Sequence, residues 1–298
     1  MMDEHKEQKD EREFSIQTVS LNWLQPFEGH PFKVVEDDAM LRITESIATY
    51  GILTPLIVRP KNGRYEIVSG HRRAYAAEQA GLTKVPVIIR NLTDDEATIL
   101  MVDSNFQRER ILPSERAFAY KMKMEALRHQ GERTDLQQEG TSSQKGTRLR
   151  ADEIIAEDSG LSRNQIQRYI RLTNLIPDVL NLVDEGKIGF TPAVELSYLK
   201  PNEQEMFLEA MDYAQASPSL SQAQRMKKLS QEGLCTQELF QEIMYEVKKD
   251  DLERVTFRNE QIRKFFPKSY SIKQMQDTIM KLLEQWQRKR IQSREEAR

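Results

Sequence analysis

The sequence predicts an α+β protein: a small N-terminal α/β unit, then an all-helical region, then a separate C-terminal helical segment. Three observations carry this. Between residues 16 and 90 the apolar positions switch between the two-residue period of strands and the 3.6-residue period of helices, with Gly, Asn and Pro at the changes. Beyond Thr93 only the helical period remains, punctuated by capping residues. The 298 residues are 31% charged and 7% aromatic, which fits a helix-rich chain with exposed linkers and room for more than one core.

Residues 1–15 are polar and read as a flexible arm. Ile43, Ile47 and Tyr50 mark one face of a short helix that Gly51 ends. Residues 55–59 and 65–68 read as strands joined by a Lys61-Asn62-Gly63 turn, 74–80 as a helix stopped at Gly81, and 85–90 as a further strand. Thr93 and Glu96 have capping-box spacing and start a helix to about residue 105; Pro113 suits the first turn of the next, which should stop near Gly131. Residues 132–147, rich in Gly, Ser, Thr and Gln without a period, read as a connector. Helices follow at 177–185, 192–199, 203–215, 221–231 and 236–247, then a charged break at 248–253 and a last periodic segment from Ser271. The boundaries are 1–15 for the arm, 16–130 for the mixed unit, 131–149 for the connector, 150–250 for the helical domain and 251–298 for the C-terminal segment.

Composition removes several function classes. The formal net charge is −3, so nucleic-acid binding has to rest on local faces. A single cysteine, Cys235, excludes an internal disulfide and reads as a small buried hydrophobe, and the four histidines are too dispersed for a zinc site. No apolar run approaches a membrane span and residues 1–13 are unlike a signal peptide, so a cytoplasmic protein is expected.

The run YEIVSGHRR, residues 65–73, places Gly70, His71, Arg72 and Arg73 where a strand turns into a helix. That is anion-binding architecture, since helix N-terminal N–H groups favour a phosphate and paired guanidiniums can clamp it. Asn105, Gln107, Arg108 and Arg110 add polar groups where one helix ends and another begins. If the two segments meet they form a basic pocket for a polyphosphate, with the Asn105 amide available to a phosphate or a metal-bound water. The bland reading is solvated arginines paired with acids such as Glu78, and a packing or capping His71.

A second constellation lies downstream. Ala156, Gly160 and Ile166 have the spacing of a helix-turn-helix, with Gly160 in the turn. Ser162 and Gln165 suggest a capping box, and Leu161 with Ile166 a hydrophobic staple. Ile166, Tyr169 and Ile170 share one side of the second helix, while Asn164, Gln167, Arg168 and Arg171 gather on the other; with Ser162 and Arg163 these are the candidate DNA contacts. A helical hairpin with a solvated polar face has the same signature.

The segments GILTPLIVR (51–59), YEIVSGHRR with Ala74 and Ala77, VPVIIRNLTDDEA (85–97) and SNFQRERILPSERA (104–117), followed by the helix-turn-helix, together resemble the ParB family of chromosome and plasmid partition proteins over residues 15–200. The resemblance implies a CTP-dependent DNA clamp that loads on a palindromic, centromere-like site in double-stranded DNA. It further implies a homodimer on the nucleoid and a possible ParA-type ATPase partner. Carried over, Thr54, Pro55, Gly70, His71, Arg72, Arg73, Asn105 and Arg108 hold the nucleotide, with Asn105 reaching Mg²⁺ through a phosphate or water.

Three departures stand out. The family commonly has Gln at Thr54, Glu at His71, and at Ser104 a Glu associated with hydrolysis. Serine cannot serve as a carboxylate base, and Asp103, one residue away on a helix, is rotated by about 100°. Nucleotide binding with slow or absent hydrolysis is the expectation; the absence of a compact carboxylate cluster argues against nuclease chemistry. A transcriptional regulator or nucleoid-occlusion factor on the same scaffold is the alternative.

Near the C-terminus Ile272, Met275, Ile279, Leu282 or Leu283, and Trp286 form an apolar stripe followed by Arg288, Lys289 and Arg290. Taken alone a stripe of this length slightly favours packing on its own domain, whereas the family's C-terminal dimerisation implies a homodimer seam. Lys6, Lys9 and Arg12 in the arm are the residues that would correspond to a peptide acting on the partner ATPase.

Overall fold

The computed structural model describes residues 15–108, 110–136, 150–246, 262–267 and 270–295. The chain divides into two compact units, 1–245 and 246–298. The arm up to residue 14, residues 137–149 of the connector, and the charged break at 248–253 lie outside the described residues.

The central hairpin pairs β3 (Leu56–Lys61) with β4 (Arg64–Ser69). Its turn needs two residues in the left-handed region, supplied by Asn62 at φ 53° and Gly63 at φ 74°. β5 (Lys84–Ile89) adds parallel to β3. Two edge strands, β1 (Ile16–Ser20) on β5 and β2 (Leu24–Gln25) on β4, complete a mixed sheet of order β1-β5-β3-β4-β2. Both edges escape a pattern reading: the first three residues of β1 are exposed, and β2 is only two residues long.

Strand alternation sends neighbouring side chains into different cores. Ile67 joins Leu56, Val58, Val85 and Val87 beneath α1 (Asp38–Tyr50) and α2 (His71–Gln79). Val68 instead meets Ala97, Met101 and Val102 of α3 (Asp94–Phe106), together with Ala119 of α4 (Pro113–Leu136). The buried face of α1 is Met40, Ile43 and Ile47, not the expected Ile43, Ile47 and Tyr50: Tyr50 is 72% exposed and Met40 takes its place one turn earlier.

Thr93 and Glu96 form both halves of their capping box. The helix expected to stop at Gly131 continues to Leu136. A helical glycine costs only about 1 kcal/mol relative to alanine, too little to end a long helix.

The central part of α4 carries the helix-turn-helix. α5 (Ala151–Ser159) and α6 (Arg163–Arg171) pack through Ile155 and Ile166 onto Tyr120 and Met124 of α4. Between them Gly160 adopts φ 68°, as a turn glycine should. Leu161 packs against the same cluster as Ile166, which makes the staple. Five more helices, α7 (Pro177–Asp184), α8 (Phe190–Leu196), α9 (Pro201–Ala214), α10 (Leu220–Glu232) and α11 (Gln237–Tyr245), enclose a core of Leu172, Ile188, Leu196, Phe207, Met226 and Phe240. Cys235 is half-buried beside this core. Burial, and then the nearby Glu203 carboxylate, push its thiol up to about 11.

In the second unit α12 (Ile272–Glu295) buries Met275 but leaves Leu282, Leu283 and Trp286 exposed, the last by 58%. Among the described residues no helix is long and apolar enough to cross a membrane.

Candidate nucleotide pocket and nucleic-acid interface

The pocket begins with one glycine. Gly70 links β4 to α2 at φ 106°, and a Cβ there would lie 2.5 Å from Leu56 Cδ2 and 3.1 Å from Arg73 Nη2. A side chain is therefore refused by both backbone conformation and the core behind it. Gly70 also provides no side-chain cap, so no cap side chain takes up the N–H groups of the first turn of α2.

That turn faces a cavity of about 630 Å³. The loop from Gly51 to Thr54 forms one wall, Arg42 and Ser46 of α1 another, and Ser104, Asn105 and Arg108 a third. The fold thus brings together Thr54, Gly70, His71, Arg72, Arg73, Asn105 and Arg108 from three separated segments. Pro55 is not part of the wall and instead offers its carbonyl to Arg73. Arg42 and Ser46 were missed by sequence reasoning, although their i, i+4 spacing puts them on one helical face. Among the described residues the lining holds four arginines, 42, 72, 73 and 108, and no carboxylate. Such a wall suits a polyanion.

The arginines are not equivalent. Arg73 donates from Nη1 to the carbonyls of Thr54 and Pro55, the latter at 3.0 Å, and so fastens the Gly51–Thr54 loop to α2. Arg72 pairs with Asp37 Oδ1 at 3.2 Å, the same oxygen that caps α1 by accepting from Met40 N–H at 2.7 Å. Arg108 lies over the Phe32 ring, 5.3 Å from its centroid, and partial burial lowers its pKa.

His71 supplies no charge here. Its Nε2 accepts from Phe27 N–H at 3.3 Å, which leaves the ring proton on Nδ1. Burial, then the neighbouring His30 and Arg108, bring its pKa down to about 3. His30 stacks on it at 3.8 Å between ring centroids, shares a hydrogen bond with the Phe32 carbonyl through Nδ1 at 2.8 Å, and is itself brought to about 4, chiefly by burial. The pair fastens the loop from Phe27 to Phe32 to the start of α2.

Asn105 is buried, and one N–H of its amide donates to Met101 O at 2.8 Å, which leaves Oδ1 and the second N–H for a ligand. Ser104 Oγ donates to the same carbonyl at 2.9 Å. Asp103 turns away to Lys123, 2.6 Å distant, and lines a different cavity. Among the described residues no group of three or more His, Cys, Asp or Glu side chains is arranged to hold a metal. Among the described residues the side-chain oxygens at the pocket are Asn105 Oδ1 and the hydroxyls of Ser46, Thr54, Ser69 and Ser104. Because Mg²⁺ prefers phosphate and water oxygens, this set fits a metal brought in on a polyphosphate better than one held by protein alone.

On α6, Ser162 Oγ accepts from Gln165 N–H at 3.2 Å, but the expected capping box is only half made. Gln165 Oε1 is instead placed to accept from Arg168, one turn further on, at 3.4 Å. Asn164 and Gln167 are exposed. Arg163 pairs with Glu153 at 2.8 Å. Arg168 donates to Thr191 Oγ1 at 3.0 Å and lies 5.1 Å over the Phe190 ring; Arg171 lies 3.8 Å over Tyr198. Both arginines therefore rest against α8 and the residues just after it.

The mixed-sheet pocket is joined by one long helix to the helix-turn-helix. Residues 4–106 match the ParB N-terminal domain. The chain is 35% identical to the probable chromosome 1-partitioning protein ParB of Deinococcus radiodurans, over 60% of this chain and 54% of that one. It is 29% identical to the nucleoid occlusion protein of Geobacillus thermodenitrificans, over 67% and 64%. The chain thus spans less than two thirds of either relative. Two structures of the C-terminally truncated chromosome-partitioning protein ParB of Caulobacter crescentus also match. The complex with the centromeric parS site gives 23% identity and a TM-score of 0.41, covering 72% of this chain and 99% of that one. The complex with CTP-gamma-S gives 27% and 0.30, covering 61% and 92%.

Proposed function

We propose that this chain is a partition protein that binds CTP in the N-terminal pocket and a palindromic DNA site through α6, with CTP favouring closure of a homodimer around the DNA. The observation that carries the reading is the four-arginine pocket, without a carboxylate among the described residues, set at the N-terminus of α2 by Gly70. Triphosphate oxygens take the first-turn N–H groups of α2, and Arg72 exchanges Asp37 for phosphate. The loop held by Arg73 frames the nucleoside, and Asn105 Oδ1 would offer an oxygen to Mg²⁺ carried by the phosphates, where the ion would neutralise phosphate charge.

Hydrolysis is slow in this reading, because Ser104 is not a base at neutral pH and Asp103 is committed to Lys123. The variant Ser104→Glu is expected to raise phosphate release from CTP.

Asn164 and Gln167 read base edges, while Arg168 and Arg171 leave their aromatic supports for phosphates or guanine. The dimer seam is the exposed Leu282, Leu283 and Trp286 face of α12, which gives a palindrome two recognition helices. The functional domains are 16–130, 150–250 and 251–298, and the protein works on the nucleoid, with a ParA-type ATPase as its further partner.

The test is to crosslink the protein in cells, sequence the bound DNA, and ask whether that duplex promotes CTP-dependent closure. One site cluster with CTP-dependent closure supports partition. The match to a nucleoid occlusion protein favours one second reading, in which scattered sites are bound with the same nucleotide dependence.

A further inference from the structure

Lys123 sits within α4 with its side chain only 3% exposed, yet it holds two carboxylates from different elements. Asp103 Oδ1, in the last turn of α3, is 2.6 Å from Nζ, and Asp158 Oδ2, at the end of α5, is 2.8 Å away. Burial alone would lower the lysine pKa; the two hydrogen-bonded carboxylates outweigh burial and raise it. Moving one acid away leaves the buried ammonium with a single carboxylate partner, so each arm of the bridge carries part of the cost of burying the charge.

The three residues come from parts with different jobs. Asp103 immediately precedes Ser104 and Asn105 of the pocket wall. Asp158 lies two residues before Gly160, the turn that sets the approach to α6. Lys123 is on α4, the helix against which Ile155 of α5 and Ile166 of α6 both pack. A cavity of about 490 Å³ lies along this seam, lined by Asp103, Phe106, Tyr120, Lys123 and Asp158 among others. A close-packed core would resist displacement of α5, and the open seam does not.

Packing continues on both sides of the bridge. Arg108 covers Phe32, which meets Phe106, then Tyr120, then Tyr169 of α6, then Phe190 beneath Arg168. The successive ring centroids are 6.2, 4.9, 5.7 and 4.7 Å apart. A shift of the last turn of α3 therefore has packed neighbours all the way to the recognition helix. Spatial continuity alone does not make coupling, but a charged joint with two separable arms supplies the element that both ligands can bias.

We infer that Lys123 is a positioning residue that couples the pocket to the helix-turn-helix, holding α5 to the last turn of α3 so that a nucleotide acting at Asn105 alters how α6 meets DNA. This rests on the reading of the two ligands as CTP and DNA. Linkage makes the effect reciprocal: whatever factor CTP applies to DNA affinity, DNA applies to CTP affinity.

The experiment uses the full chain, CTP with Mg²⁺, and a parS duplex. Dissociation constants are measured for each ligand with and without the other, in wild type, Lys123→Met and Asp158→Asn. Met keeps an apolar stem in the buried channel, and the freed acids, 46% and 54% exposed, can hydrate. In wild type each ligand is expected to shift the other's affinity by about fivefold or more. In both variants that factor should fall to about one while each ligand alone binds within about threefold of wild type. Should Lys123→Met fail to fold, Asp158→Asn decides the matter. An unchanged factor in the folded variants overturns the inference, as does wild type binding both ligands with no mutual effect. Wild type that binds no CTP at all would instead sink the functional reading.

Discussion

The pocket and the recognition helix present arginine in opposite ways. In the pocket the backbone is fixed first: Gly70 permits one conformation against Leu56, and Arg73 is spent on two carbonyls that fix the neighbouring loop. On α6 the helix is fixed from beneath by Ile166, while Arg168 and Arg171 rest on the rings of Phe190 and Tyr198. Such half-buried cation–π contacts are worth about 0.5–2 kcal/mol each, within the range that a phosphate or a base edge can replace. One surface is preorganised and intolerant of backbone change; the other stores its ligand-binding groups in weak, reversible contacts.

The largest effect should come from Gly70→Ala. The added Cβ meets Leu56 Cδ2 at 2.5 Å in a backbone conformation that disfavours any side chain. A loss of roughly 3 kcal/mol in urea unfolding, together with absent CTP binding by calorimetry, is expected. Normal CTP binding by that variant would show that the glycine frame does not make the site. Arg73→Ala comes next, with CTP affinity expected to fall about 10- to 100-fold as the loop comes untied. Binding of nucleotide-free protein to DNA should stay the same, because Arg73 is remote from α6. Arg168→Ala should give the reverse pattern: roughly a tenfold loss in affinity for cognate duplex, with CTP binding unchanged.

The smallest effect is one of pH. His30 and His71 fold with pKa values brought down to about 4 and about 3, against 6.5 in the unfolded chain. Between those values the unfolded state binds more protons, so their contribution is complete above pH 6.5 and is lost progressively as the pH falls towards 3. Melting temperatures measured from pH 7 down to 4 should drop less steeply in His30→Phe than in wild type.

The sequence made the pocket more legible than the interface, for physical reasons. YEIVSGHRR is local: strand period, glycine and helix start are contiguous, and the Gly51–Thr54 loop and Asn105 carry their own motifs. The postures of Arg168 and Arg171 depend on Phe190 and Tyr198, more than 20 residues away, which no helical wheel contains. The Lys123 bridge is non-local too, joining residues 20 and 35 positions apart. Tyr50 looked buried because its spacing from Ile43 and Ile47 is helical, yet the sheet needed Met40 instead. Gly131 looked like a stop because the cost of a helical glycine is real, but in α4 it is insufficient.

The central claim is a pocket that holds CTP without efficiently turning it over. Titrating CTP with Mg²⁺ onto the full chain with a parS duplex present, while following phosphate release, tests it most directly. Saturable binding with release close to the protein-free background, rising in Ser104→Glu, is the result the account predicts. Absence of CTP binding, or brisk phosphate release by the wild-type chain, would contradict it.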